Sequence, residues 1–146
     1  MPPWRKFLAL PFGLQRLLLE ACCFLLAARA ALGMLSFARL MASLRWRSRS
    51  TSGTVQADIR GIRWAVEAAA RHLPLSLTCL PQALAAAWML QLRGHAPGLL
   101  YGVSAGFAAH AWVELEGMPV VGHRATGGFT VLARFPTPGA GPRPAV

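Results

Sequence analysis

Residues 75–83 read Leu75-Ser76-Leu77-Thr78-Cys79-Leu80-Pro81-Gln82-Ala83, and the fold turns on where a helix can begin within them. Pro74 closes the apolar pattern that precedes them, because proline cannot continue a helix. Thr78 suits an N-cap, and Pro81 is tolerated only within a first turn. A helix is therefore expected to start at or beside Cys79, to run through Ala83–Arg93, and to end at Gly94, a common C-terminal residue. Beyond Gly94 the apolar periodicity changes from helical to alternating. Leu99–Val103, Ala109–Leu115, Met118–Val121 and Phe129–Phe135 predict short strands with Gly-rich turns between them. Glu116-Gly117 reads as the turn of a hairpin. Helices followed by an antiparallel meander make an α+β fold.

Upstream, Val55, Ile59, Ile62, Val66, Ala69 and Leu73 repeat every three or four residues, with Asp58, Arg60, Arg63, Glu67 and Arg71 mostly off that stripe. This is an amphipathic helix. Residues 12–44 predict one or two helices rich in Leu and Ala, bent near Gly33, and residues 45–53 form a polar, basic linker. The expected organisation is a basic, apolar N-terminal arm and linker over 1–53, a domain over 54–135, and a disordered Pro/Gly tail over 136–146.

Composition narrows the class. The chain has 146 residues, enough for one core. Apolar residues make up 55% and charged residues 14%, which excludes a disordered chain. The net charge is +10, and eight of the fifteen basic residues fall within residues 1–50 against a single acidic one. That asymmetry points to an acidic partner or an anionic surface. The arginines are spread among apolar residues rather than grouped with exposed aromatics, so nucleic-acid binding is not expected. Three cysteines, two of them the adjacent Cys22 and Cys23, do not make a disulfide framework or a paired zinc spacing, and a reducing cytoplasm is the simplest compartment. Arg5 and Lys6 before an apolar stretch mimic a signal peptide, but Pro11 breaks it early. Arg16, Glu20, Arg29 and Arg39 interrupt the arm, so its helices are expected to lie on a surface rather than to span.

The chemistry falls on Cys79 and His110. A thiol at a helix N-terminus feels the positive end of the backbone dipole, which favours the thiolate. The free N–H groups there can also bind an oxyanion. Alternation along Ala109–Leu115 puts Ala109, Ala111, Val113 and Leu115 on one face and His110, Trp112 and Glu114 on the other. The imidazole is thus directed away from the strand's apolar face, where it can serve as a base. Taken singly, either residue more often belongs to the structure than to a reaction.

Together they carry a resemblance. Thr78-Cys79-Leu80-Pro81-Gln82-Ala83-Leu84-Ala85, then Arg93-Gly94, Gly102-Val103 and Ala108-Ala109-His110-Ala111-Trp112-Val113-Glu114, in this order and spacing, resemble the standalone leader peptidases of lasso-peptide biosynthesis. These are transglutaminase-like cysteine proteases, grouped with the C-terminal domain of microcin-processing proteins. Glu116-Gly117, Val120-Val121-Gly122 and Phe129–Phe135 continue the match, which spans roughly residues 55–135. The resemblance implies a transglutaminase-like, papain-like core, with a catalytic helix packed on a small antiparallel sheet after N-terminal helices. It implies Cys79 as nucleophile and His110 as general base, with no cofactor and no metal. The implied partners are the precursor peptide, a leader-recognition protein that presents it, and an ATP-dependent lactam synthetase that closes the ring. Apart from the resemblance, the cysteine usage and the charge-interrupted arm together predict a cytoplasmic protein with peripheral membrane contact through the N-terminal helices.

One position departs from the family. Many relatives carry an Asp about a dozen residues after the His, where this chain has Gly122 followed by His123. The chain has no Asn, its only Asp is Asp58, and Glu114 is about 13 Å along the strand from His110. A Cys–His dyad is expected, its imidazole held by a backbone carbonyl or water near Gly122.

Other residues read more plainly. Cys22 and Cys23 pack on a helix, His72 suits the last turn of its helix, and His95 and His123 are turn residues. Trp112 packs and walls the cleft, and Gln82 lies one turn into the catalytic helix. Two further functions stay open on the residues alone. One is another transglutaminase-like acyl transfer or amide hydrolysis on the same pair. The other is a non-catalytic membrane- or partner-binding scaffold with Cys79 buried.

Overall fold

The N-terminal arm folds as three helices because proline and serine punctuate its apolar run. In the computed structural model, which describes residues 2–45, 55–75, 77–106, 108–122 and 129–135, α1 spans Pro3–Leu8 and α2 spans Phe12–Met34. Pro11 stands at the N-cap of α2, and Gln15 Nε2 donates to Leu10 O at 2.9 Å, closing the corner. The break falls not at Gly33 but at Leu35, which is extended (φ −112°, ψ 151°). Ser36 then caps α3, Phe37–Ala42, by accepting from Arg39 N. A 3-10 turn, Ser43–Arg45, follows. The rest of the expected linker, the tail over 136–146 and the turn residue His123 lie outside the described residues.

The amphipathic stripe forms α4, Val55–His72, and the catalytic-helix candidate forms α5, Cys79–Leu92. Gly94, with φ +83°, ends α5 as expected. Four strands follow: β1 Gly98–Ser104, β2 Ala109–Leu115, β3 Met118–Val121 and β4 Phe129–Phe135. The β2–β3 hairpin turns on Glu116 and Gly117, both at positive φ (52° and 77°), the conformation of the two-residue turn that matches strand twist.

The sheet is antiparallel but is not a meander. Its order is β3-β2-β1-β4, so the last strand crosses over to pair with β1. Alternation alone cannot tell which edge a fourth strand joins. The crossover matters, because it lays β4 beside the strand pair that carries His110.

One core joins α2, α4, α5 and the sheet. Ala83–Ala87, Met89 and Leu90 of α5 are fully buried against Ala111, Val113 and Leu115 of β2 and Ile62, Ala65 and Val66 of α4. The arm contributes to it through Ala21, Leu25 and Ala28, each fully buried. Small residues set the contact distances: a Cβ at Gly61 would stand 3.1 Å from Leu17 Cδ2. Arg63 secures β3 to α4 by donating from Nε to Val120 O at 2.8 Å and from its second nitrogen to Pro119 O.

Candidate active site

The helix that carries Cys79 begins without a side-chain cap. Thr78 occupies the N-cap in an extended conformation, but its hydroxyl accepts no hydrogen bond from the first turn. This corrects the expected cap. A capping oxygen bonds the N–H of the second or third helical residue, and here the third is Pro81, which has none. Gln82 instead donates to Leu77 O at 2.9 Å, holding the approach segment. Among the described residues, the first N–H groups of α5, on Cys79 and Leu80, thus have neither an intrahelical acceptor nor a side-chain cap from Thr78. Cys79 itself is a free, half-buried thiol packed on the edge of the core.

His110 lies near the start of β2, on the face opposite Ala111, Val113 and Leu115. Its ring stacks on Trp112 (centroids 5.9 Å, planes 21° apart) and meets Phe129 at 5.2 Å. His110 Nε2 lies 3.0 Å from Gly122 O. A carbonyl only accepts, so Nε2 carries the proton and a neutral ring keeps its lone pair on Nδ1. The carbonyl near Gly122 is the partner the residues led us to expect.

Gly122 can supply that carbonyl because it is glycine. Its φ is +81°, and a Cβ would sit 3.0 Å from Ala111 O and 3.2 Å from His110 Nε2. Gly102 serves Trp112 in a similar way, since a Cβ there would stand 3.0 Å from the indole and 2.7 Å from Thr130 O. Glu114 is occupied elsewhere: it accepts from Trp112 Nε1 at 3.2 Å and lies 3.6 Å from Arg134 Nη1.

Chain reversal relates the two candidates. Residues 93–97 turn α5 directly into β1. The fourteen residues of α5 span about 21 Å and the seven of β1 about 23 Å. A helix of this length folded back along β1 would bring Cys79 to the end of the layer where β1 finishes and β2, with His110, begins. Among the described residues no hydrogen bond joins the Cys79 thiol to the His110 ring.

Comparison with known families agrees with this arrangement of helix and sheet. A family model described as the transglutaminase-like superfamily matches residues 22–134, most of the chain. The chain belongs to the transglutaminase-like superfamily. The match begins inside α2, so this superfamily domain takes in helix residues of the arm as well as the body. Neither a curated protein nor a solved structure matches the chain.

Several residues differ from their sequence readings. His95 does lie in the turn between α5 and β1, but it is buried there, 5% exposed, with its Nε2 2.7 Å from Asp58 Oδ2. The spacing hid this because the partners are 37 positions apart. Arg93 forms a two-pronged ion pair with Glu20 of α2 at 2.6 and 3.0 Å. That hydrogen bond, more than the charges of Glu20 and Asp58, raises the arginine's pKa against an opposing effect of burial. These groups line a cleft of about 350 Å³ between α2 and α4. It holds no nucleophile, and its acids are already paired. Of the adjacent cysteines, only Cys22 packs on the core, and Cys23 is exposed. Burial, and then Cys23 beside it, push the Cys22 thiol up. The contact of Phe129 with His110 was missed because it depends on the β4 crossover.

Proposed function

We propose that this transglutaminase-like protein is a cysteine peptidase that removes the leader from a ribosomally made lasso-peptide precursor. Cys79 acts as nucleophile and His110 as general base. The observation that carries the reading is the hydrogen bond from His110 Nε2 to the Gly122 carbonyl. It holds the ring in the tautomer whose other nitrogen can take a proton.

In the proposed reaction, His110 Nδ1 takes the thiol proton as Cys79 Sγ adds to the carbonyl carbon at the leader–core junction. The uncapped N–H groups at the start of α5 receive the oxyanion. Collapse of the intermediate breaks the C–N bond, and the imidazolium gives its proton to the departing core amine. Water, deprotonated by His110, then hydrolyses the thioester, releasing the leader as a carboxylic acid and restoring the thiol. The freed core N-terminus is the substrate an ATP-dependent lactam synthetase requires. A leader-recognition protein presents the precursor.

The Gly122 carbonyl stands where many relatives carry Asp. A neutral carbonyl orients the ring, but it stabilises the imidazolium less than a carboxylate does. The test is mass spectrometry of precursor incubated with this chain and the leader-recognition protein. Cleavage at one leader–core bond is expected, falling by roughly a thousandfold or more in Cys79→Ala and His110→Ala. Undiminished cleavage by Cys79→Ala overturns the assignment. Transfer of the acyl group to an added amine rather than to water would identify an acyl transferase.

A further inference from the structure

Helix α2 has two apolar stripes on opposite sides, and only one is used. Ala21, Leu25 and Ala28 point into the core. Phe12, Leu19, Cys23, Leu26, Ala30 and Met34 recur at helical spacing, which is one face of a helix, and all are exposed; the one charge interrupting that face is Arg16, whose side chain also reaches the cleft beside α4. Phe12 is 73% and Met34 83% exposed, values that apolar side chains of this size do not hold across a whole helix face without a partner. Helix α1 adds two more exposed apolar side chains, Trp4 and Leu8. The α1–α2 corner is held by Gln15, whose amide bonds to both Leu8 O and Leu10 O.

The charge around this face has one sign. Arg5, Lys6, Arg16, Arg29 and Arg39 are exposed on the same three helices. The single acid there, Glu20, is neutralised by Arg93. We infer that helices α1–α3 form a platform that lies on an anionic lipid surface, the outer stripe of α2 sunk among the acyl chains and the arginines at the headgroups. An apolar stripe edged by Arg and Lys, accompanied by Trp, is the pattern of interfacial helices. Alpha2 is also long and apolar enough to cross a membrane, with mean hydropathy 1.8 over its best window. Crossing would pull Leu25 and Ala28 from the core and break the Glu20–Arg93 pair, so the helix lies flat.

The test is co-sedimentation of the full chain with vesicles of phosphatidylcholine alone and of phosphatidylcholine with about 30% phosphatidylglycerol. Binding more than about tenfold tighter to the anionic vesicles, and weakened by salt, is expected. Leu19→Glu with Leu26→Glu, both outward, should abolish it while thermal melting is unchanged. If that variant misfolds, quenching of Trp4 in the wild-type chain by brominated lipid, absent in Trp4→Phe, decides instead. No binding, equal binding to both vesicles, or resistance to alkaline carbonate extraction overturns the inference. A dimer in which Leu19 and Leu26 are protected without lipid also overturns it, in favour of a second copy. Cys79→Ala should bind as wild type does, so this outcome is independent of the peptidase reading.

Discussion

At the scale of single residues, the site depends on a backbone atom more than on a side chain. Gly122 holds φ +81°, where a Cβ costs roughly 1–2 kcal/mol. Gly122→Ala is therefore expected to lower stability by about that amount and to cut cleavage further by displacing His110, as read by thermal melting beside the leader-cleavage assay. Gly122→Asp should also lose activity, because its Cβ would press on His110 Nε2 at 3.2 Å. The candidate pair itself was readable from Thr78-Cys79 and the His110 strand. The Gly122 partner was readable only as a neighbourhood, since hairpin register decides which carbonyl reaches the ring. A chemical check addresses the thiols. Burial and Cys23 push the Cys22 thiol up, so iodoacetamide at neutral pH should modify Cys23 and Cys79 and spare Cys22, as peptide mapping would report.

At the scale of elements, α2 is a core helix on one side and a surface helix on the other. Two neighbouring leucines separate these roles. Leu25 is fully buried and Leu26 is 45% exposed. Leu25→Ala should destabilise the chain by roughly 2–5 kcal/mol, and Leu26→Ala by less than about 0.5 kcal/mol. Denaturant midpoints of the two variants measure the difference. Glu20→Ala should cost about 1 kcal/mol, because the pair it forms with Arg93 is about a quarter exposed on each side. The boundaries of α5, β2, β3 and β4 follow from proline, glycine and alternation. The Asp58–His95 and Glu20–Arg93 pairs do not, since nothing local couples residues 37 and 73 positions apart.

At the scale of the whole molecule, the arm and the body share one core. Leu17 lies against Gly61, and Phe24 meets Trp88 at 6.3 Å. Deleting residues 1–34 should leave the matching faces of α4 and α5 in water and abolish cooperative unfolding, measured by calorimetry. The proposed lipid contact uses the outer face of α2, whereas the proposed cleavage uses Cys79 and His110.

By itself the sequence determined the class of the protein. Local stereochemistry set the helix start at Cys79, the glycine stop at Gly94 and the β2–β3 turn, and two-residue alternation set the face on which His110 stands. Only the tertiary structure decided what faces what. Whether β4 extends a meander or crosses to β1, and which side of α2 the core accepts, depends on the sum of many weak contacts between distant segments. No single stretch of chain encodes that sum, because both stripes of α2 are apolar and only packing distinguishes them.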